Sequence, residues 1–261
     1  MMSDPVQLHF DGPVARIVFD RPDALNAVDV ATAQAFDRAT AAIVAKPEVR
    51  VAVLSGNGRA FMAGGDLGAF RRSADRAAEA EAIIAPMNTA LERLHASNVL
   101  TVALVHGPVA GAGLSLTLAA DFVIAADTAA FSFAYLKIGA PADCGITWTL
   151  PRIVGLRRAL WLAIEGSTLP APQALDWGLI TRIVPADTLA EEGARLAARL
   201  AAQAPGATAA LKRLLVESFG REFAPTLEVE KQAFKTAAAT DDFAEALTAF
   251  FEKRPARFTG N

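Results

Sequence analysis

Residues 134–148, AYLKIGAPADCGITW, set one carboxylate, Asp143, among apolar and small residues with glycines on both sides. A lone acid beside glycine is commonly a helix cap or an Asx turn. Held out of water, the same group can serve as a general base whose pKa burial raises. Two other stretches carry a different chemistry. RAFMAGGDLGAF (59–70) and HGPVAGAGLSL (106–116) each follow an apolar strand and lead into a helical pattern. Glycine lets a ligand come close to the backbone, and the N–H groups opening a helix are unpaired and favour negative charge. Such loops bind an anion or an oxygen that becomes one.

Motif readings of the second loop are incomplete. Gly111-Ala112-Gly113 follows a strand and Asp127 ends the next one, as in a dinucleotide fingerprint, but the third glycine is missing and the acid comes early. Gly113-Leu114-Ser115 lacks the glycine that completes a nucleophile elbow, which leaves Ser115 as a polar helix residue. Cys144 is the only cysteine; with no paired histidine evident it reads as a small buried thiol. No CxxC or clustered His/Cys has metal-ligand spacing, so no metal is expected.

The elements around these residues alternate. VQLHF and VARIVFD flank the turn Asp11-Gly12-Pro13 as a hairpin; 29–45 has helical apolar spacing and stops before Pro47; 50–56 is a buried strand. Then follow a helix over roughly 74–95, a strand at 99–105, a glycine turn at 107–113, a short helix at 113–120 and a strand at 122–126. Strands separated by helices predict an α/β fold, its sheet mostly parallel and covered on both faces. After Pro151 the pattern turns helical: 155–166, 171–177, a short strand ITRIVP, and a helix to about 202 opened by a Thr188/Glu191 capping box. From there to 253 each segment shows an apolar stripe, which divides the chain into a core at 1–200 and a helical region at 201–261.

At 261 residues and 53% hydrophobic, the chain can bury a large core. A net charge of −3 with no dense Lys/Arg block argues against nucleic acid as a partner. The acidic N-terminus lacks the pattern of a signal peptide, and the longest apolar runs are too short to span a bilayer. No membrane association is expected, and the cytoplasm is the expected location.

RPDALNAVD (21–29), AFMAGGDL (60–67), HGPVAGAGLSLTLAADFVIAAD (106–127), IGAPADCGITWTLPRIVG (138–155), ALDWGLITRIVP (174–185) and FFEKRPARFTG resemble the enoyl-CoA hydratase/isomerase family, the crotonase superfamily, in order and spacing along nearly the whole chain. The resemblance implies a spiral of β/β/α repeats with a C-terminal all-helical trimerisation region, assembling as a homotrimer or a dimer of trimers. It implies an acyl-CoA thioester as ligand and no cofactor beyond that CoA. Matching positions make the N–H groups of Gly65 and Ala112 the oxyanion hole, with alanine at 112 where the family usually has glycine. They place Ala63, Asp66 and Leu67 along the pantetheine channel, Ala24 and Leu25 near the nucleotide, and Phe250 and Lys253 at the adenine end, that of a neighbouring subunit included. Ala110, Ala140, Phe70, Trp148 and the 74–95 helix would shape the acyl pocket.

The resemblance also bears on the chemistry. The family's hydratases use two glutamates; the matching positions here are Ser115 and Tyr135, so both carboxylates are absent. Asp143 matches the single acid of isomerases similar to the phenylacetate-pathway ring-expanding enzyme, with Pro141 two residues before it. Dehalogenases use an aspartate there as nucleophile, but their activating His and Trp are matched by Asn88 and Tyr135. The expectation is an enoyl isomerase with Asp143 as acid/base, Tyr135 walling the pocket, and Ile138, Ala140, Ala142 and Ile146 burying the acid. A hydratase or other lyase, and a non-catalytic acyl-CoA-binding protein, stay open as alternatives.

Overall fold

A computed structural model describes residues 4–261, so residues 1–3 of the acidic N-terminal stretch lie outside it. Strands β1 (Val6–Asp11) and β2 (Val14–Phe19) form the expected hairpin, antiparallel with Val6 opposite Phe19. Helix α1 (Val30–Val44) starts where Asp29 accepts a hydrogen bond from the Thr32 N–H at 2.8 Å, a side-chain N-cap. Strands β3 (Val51–Gly56), β4 (Leu100–Val105), β6 (Phe122–Ala126) and β9 (Arg182–Val184) join the hairpin in a six-stranded sheet ordered β1-β2-β3-β4-β6-β9, parallel from β2 onward.

Strand periodicity assigns that sheet two faces. Val51 and Val53, Val102 and Leu104, Ile124 and Ala126 point to one side and pack on α8 (Leu189–Ala201). Ala52 and Leu54, Ala103 and Val105, Val123 and Ala125 point to the other, into the larger core with Phe36 and Ile43 of α1 and Met87 and Leu94 of α3 (Arg76–Ala96). Both faces are covered, as expected. α8 approaches so closely that a Cβ on Gly193 would lie 2.4 Å from Leu104.

A second sheet was not legible from the residue pattern. β5 (Pro108–Ala110) lies inside the expected glycine turn and pairs in parallel with β7 (Ala130–Ser132), which pairs antiparallel with β8 (Thr168–Pro170). Single parallel bridges, Val28 with Gly65 and Met62 with Val109, extend the ladder. The chain therefore visits the two sheets alternately, and this alternation is the β/β/α spiral.

Two helical expectations need correction. α2 (Leu67–Arg72) is too short to show a period, and α5 (Ile146–Val154) runs through Pro151; neither was assigned from the sequence. Residues 155–166 are not one helix: Gly155, at φ 79°, separates α5 from α6 (Leu156–Leu160), and a π turn at Trp161–Glu165 follows. Thr188 does not cap α8. It ends a 3-10 turn in helical conformation, and its hydroxyl donates to the Pro185 carbonyl at 3.0 Å. After α7 (Ala171–Asp176) and α8 come α9 (Pro205–Glu217), α10 (Phe223–Ala238) and α11 (Asp241–Glu252), on which Phe223, Phe234, Phe250 and Phe251 are exposed. No helix among the described residues is long and apolar enough to cross a membrane.

Candidate active site

The two glycine loops meet back to back. The Ala110 N–H donates to the Met62 carbonyl at 3.0 Å, and a Cβ on Gly111 would lie 3.4 Å from the Gly64 Cα. Gly111 adopts φ 52°, ψ −123° and Gly64 φ 106°, conformations that a side chain would strain. At Gly113 space is the limit, since a Cβ there would sit 2.2 Å from the Met62 carbonyl oxygen. One residue beyond the Gly64–Gly111 contact on each loop stand Gly65 and Ala112, the first residue of α4 (Ala112–Ala119). Neither N–H is donated to any protein group among the described residues. Unpaired donors at a helix start and a bridge end suit an oxygen that gains charge.

The 21–29 loop braces the first of these. The Ala63 N–H donates to the Leu25 carbonyl, the Val28 N–H to Gly64 and the Asp66 N–H to Val28, all within 2.8–3.0 Å. Ala24 and Leu25 are thus brought against Ala63, with Leu25 and Asn26 both at positive φ. Asn26, 1% exposed, holds the loop: its amide donates to the Asn57, Ala60 and Phe61 carbonyls and its oxygen accepts from the Arg21 N–H. The Arg21 guanidinium spans Asp29 at 3.1 Å and Asp66 at 3.0 Å. Burial works against the Asp66 charge, but the Arg21 hydrogen bond and the Ala69 N–H outweigh it and hold its pKa below the ordinary carboxylate value. Asp66 also caps α2, and Leu67 opens it, half exposed. RPDALNAVD contains Arg21 and Asn26 with no role expected of either, because the burial and carbonyl partners that give Asn26 its role are set by tertiary structure.

Asp143 is half-buried. Its Oδ1 accepts a short hydrogen bond from the Tyr135 hydroxyl, and that hydroxyl lies 2.7 Å from Ser115 Oγ on α4. Tyr135 is 7% exposed, its ring edge-on to Phe133 at 5.1 Å, so it backs the acid instead of walling an open pocket. Burial first, then the Asp143 charge beside it, pushes its pKa far up, and the phenol stays protonated. The same two causes push up the thiol of Cys144, which is buried as expected. The apolar surround is partial: Ile146 is fully buried, Ala140 and Ala142 are half-buried, and Ile138 is 54% exposed, so it does not enclose the acid as expected.

An open cavity of about 650 Å³ lies beside Cys144, lined also by Asn88, Leu91, Leu118, Trp148 and Phe219. Trp148 and residues of α3 line it, but Asp143, Tyr135, Gly65 and Ala112 do not, nor do Phe70, Ala110 and Ala140, so it is not identified with the acyl pocket expected from the sequence. His106 is structural, its Nε2 2.9 Å from the Gly58 carbonyl. Phe250, 76% exposed, and Lys253 stand at the end of α11; among the described residues no side-chain hydrogen bond or ring contact joins them to the glycine loops. The structure therefore gathers Ala24, Leu25, Ala63, Gly65, Asp66 and Leu67 on one side, Ala112, Tyr135 and Asp143 on the other, and leaves Phe250 and Lys253 out.

Comparison with known proteins identifies the family and the fold. The chain matches the family described as enoyl-CoA hydratase/isomerase over residues 9–261. It is 37% identical to a protein of Rhodobacter capsulatus named "Probable enoyl-CoA hydratase", with 95% of each chain covered. It is 32% identical to the 1,2-epoxyphenylacetyl-CoA isomerase of Escherichia coli, covering 99% of this chain and all of that one. The crystal structure of enoyl-CoA hydratase from Bacillus anthracis superposes with a TM-score of 0.92 at 27% identity, covering 98% of this chain and 100% of the other. Two alternating sheets, paired glycine loops with free N–H groups, and likeness along the full length lead to one conclusion: the fold is that of the crotonases, and the chain belongs to the enoyl-CoA hydratase/isomerase family.

Proposed function

We propose that the protein is an acyl-CoA isomerase that moves a double bond, or rearranges a ring, through an enolate. The N–H groups of Gly65 and Ala112 receive the thioester oxygen. The Asp143 carboxylate takes a proton from the carbon next to the thioester or from its vinylogous position, and the electron pair moves onto the oxygen. The same carboxylic acid then returns that proton to another carbon, so nothing is added or lost. Donors fixed in place before the charge develops stabilise the enolate, and removing one costs roughly 10²–10³ in rate.

One observation carries this reading: Ser115, Tyr135 and Asp143 form a single hydrogen-bonded chain that contains one carboxylate. Adding water needs one group to deprotonate the water and another to protonate carbon, whereas a proton shuttle needs one. The E. coli relative's name supports isomerisation. The R. capsulatus relative's name supports a second reading, hydration with the two hydroxyls holding the water. The exposed apolar residues of α6 and α9–α11 support assembly as a trimer, in which a neighbouring copy would receive Phe250 and Lys253.

The test is incubation with 2-enoyl, 3-enoyl and ring-derived CoA thioesters in deuterated water, read by mass spectrometry, with Asp143→Asn alongside. Double-bond migration or deuterium uptake without added water, lost in the variant, is expected. Net addition of water would replace the reading by hydration, and binding without turnover would leave a carrier of acyl-CoA.

A further inference from the structure

The family's two glutamate positions are not vacant in this chain; they are joined. Ser115 is fully buried on the first turns of α4, and Tyr135 sits on a 3-10 turn between Ala134 at φ 61° and Gly139 at φ 71°. Their oxygens are 2.7 Å apart, and Tyr135 also meets Asp143 Oδ1. A hydroxyl carries one proton, and an ionised carboxylate can only accept. With Asp143 ionised, as a base must be, the Tyr135 proton points to Oδ1. Tyr135 then accepts from Ser115, whose own alternative acceptor is the Gly111 carbonyl at 3.3 Å. That carbonyl belongs to the peptide whose nitrogen is Ala112.

We propose that Ser115 and Tyr135 are positioning residues that fix the base Asp143 relative to the oxyanion peptide Gly111–Ala112 through one hydrogen-bonded chain. The inference rests on the reading of Asp143 as the base. It goes further by assigning the atoms: Oδ1 is held by Tyr135, which leaves Oδ2 to take the proton. Burial of both hydroxyls keeps water from competing for these bonds, and a phenol that does not ionise donates to the carboxylate without exchanging roles with it. Because the Ser115 backbone N–H donates to the Gly111 carbonyl at 3.0 Å while its hydroxyl donates to Tyr135, the base and the oxyanion donor keep one relative geometry through both proton transfers.

Tyr135 is the only tyrosine in the sequence, so a [ζ-13C]tyrosine label reports on this position alone. The expected result is one resonance that shifts in Asp143→Asn and again in Ser115→Ala. Tyr135→Phe, which keeps the ring and removes the hydrogen bond, is expected to lower kcat roughly 10- to 100-fold with KM changed less than about twofold. A wall residue would move KM instead. Ser115→Ala opens a small void, so its melting temperature is measured too; Tyr135→Phe preserves shape and carries the kinetic arm by itself. An unmoved resonance in both variants, or a fully active Tyr135→Phe beside a silent Asp143→Asn, overturns the positioning chain and leaves the base assignment standing. Wild-type turnover by Asp143→Asn overturns the base assignment, and the positioning role with it.

Discussion

Gly113→Ala tests whether the loop contact sets the donor geometry. The added Cβ would start 2.2 Å from the Met62 carbonyl oxygen and 2.9 Å from the carbonyl carbon, where ordinary contact begins at 3.4 Å. Backbone cannot swing aside as a side-chain end can, so α4 and the 62–65 loop must separate by about 1 Å. Displacement of that size in a site that works by fixed geometry costs on the order of 10²-fold in rate. The same overpacking destabilises by about 1–3 kcal/mol, or roughly 2–10 °C in Tm for a chain of this size. Gly193→Ala is the control, because its Cβ would meet Leu104 side-chain atoms 2.4 Å away on the α8 face of the sheet, apart from the loops. It is expected to lower Tm without changing kcat/KM on the thioester turned over by the wild type. Thermal melting and steady-state kinetics on both variants decide the matter. Wild-type kcat/KM in Gly113→Ala would refute the reasoning, and equal losses in both variants would reduce the effect to general destabilisation.

Two further outcomes follow from named contacts. The phenol of Tyr135 is expected to stay protonated through the range in which a free tyrosine ionises, near pH 10. Ultraviolet titration of the native protein should show no phenolate absorbance there, and the unfolded protein should show it. Because the unfolded state releases this proton first, stability is fully present below about pH 10 and falls as pH rises above it, which melting at pH 9 and pH 11 can check. At the other end of the chain, the buried carboxylate of Asp242 accepts from the Thr259 and Gly260 N–H groups at 2.7 and 3.0 Å, and Arg50 donates to the Phe258 carbonyl. Asp242→Ala should free the 255–261 tail and speed its removal by a carboxypeptidase; an unchanged rate would show that the tail is held by other contacts.

How much of this was legible depended on the distance over which each signal is written. The main-sheet strands β3, β4 and β6 and the long helices α1 and α3 announce themselves through local period, and the structure places them close to where the pattern does. β5, β7 and β8 are three residues each, too short for alternation to be told from chance, and they exist because the ladder begun at Val28 and Met62 pairs them. α5 contains Pro151 because a proline inside a helix removes one hydrogen bond and not the packing of Ile146, Leu150 and Val154 on the core. Asp143 was visible as an odd acid in an apolar loop. Its partners were not: Ser115 reads as a helix residue and Tyr135 as a wall until tertiary structure closes the 20 residues between them.

The backbone shows where the fold accepts strain to hold that arrangement. Among the described residues five other than glycine have positive φ, and four of them border the candidate site: Leu25 and Asn26 beside Ala63, Ala134 directly before Tyr135, and Cys144 directly after Asp143. Such conformations cost of order 1 kcal/mol or more each and persist where surrounding contacts over-determine them. Here those contacts can be named. Asn26 is tied to three carbonyls, Tyr135 to Asp143 and Ser115, and Cys144 is packed in the core next to Ile146. Between Tyr135 and Asp143, Gly139 turns left-handed at φ 71° and lets a phenol and a carboxylate eight residues apart meet, which neither a helix nor a strand over that span could do. The strain is the local cost of holding these contacts, and it falls directly before Tyr135 and directly after Asp143 as well as in the 21–29 loop.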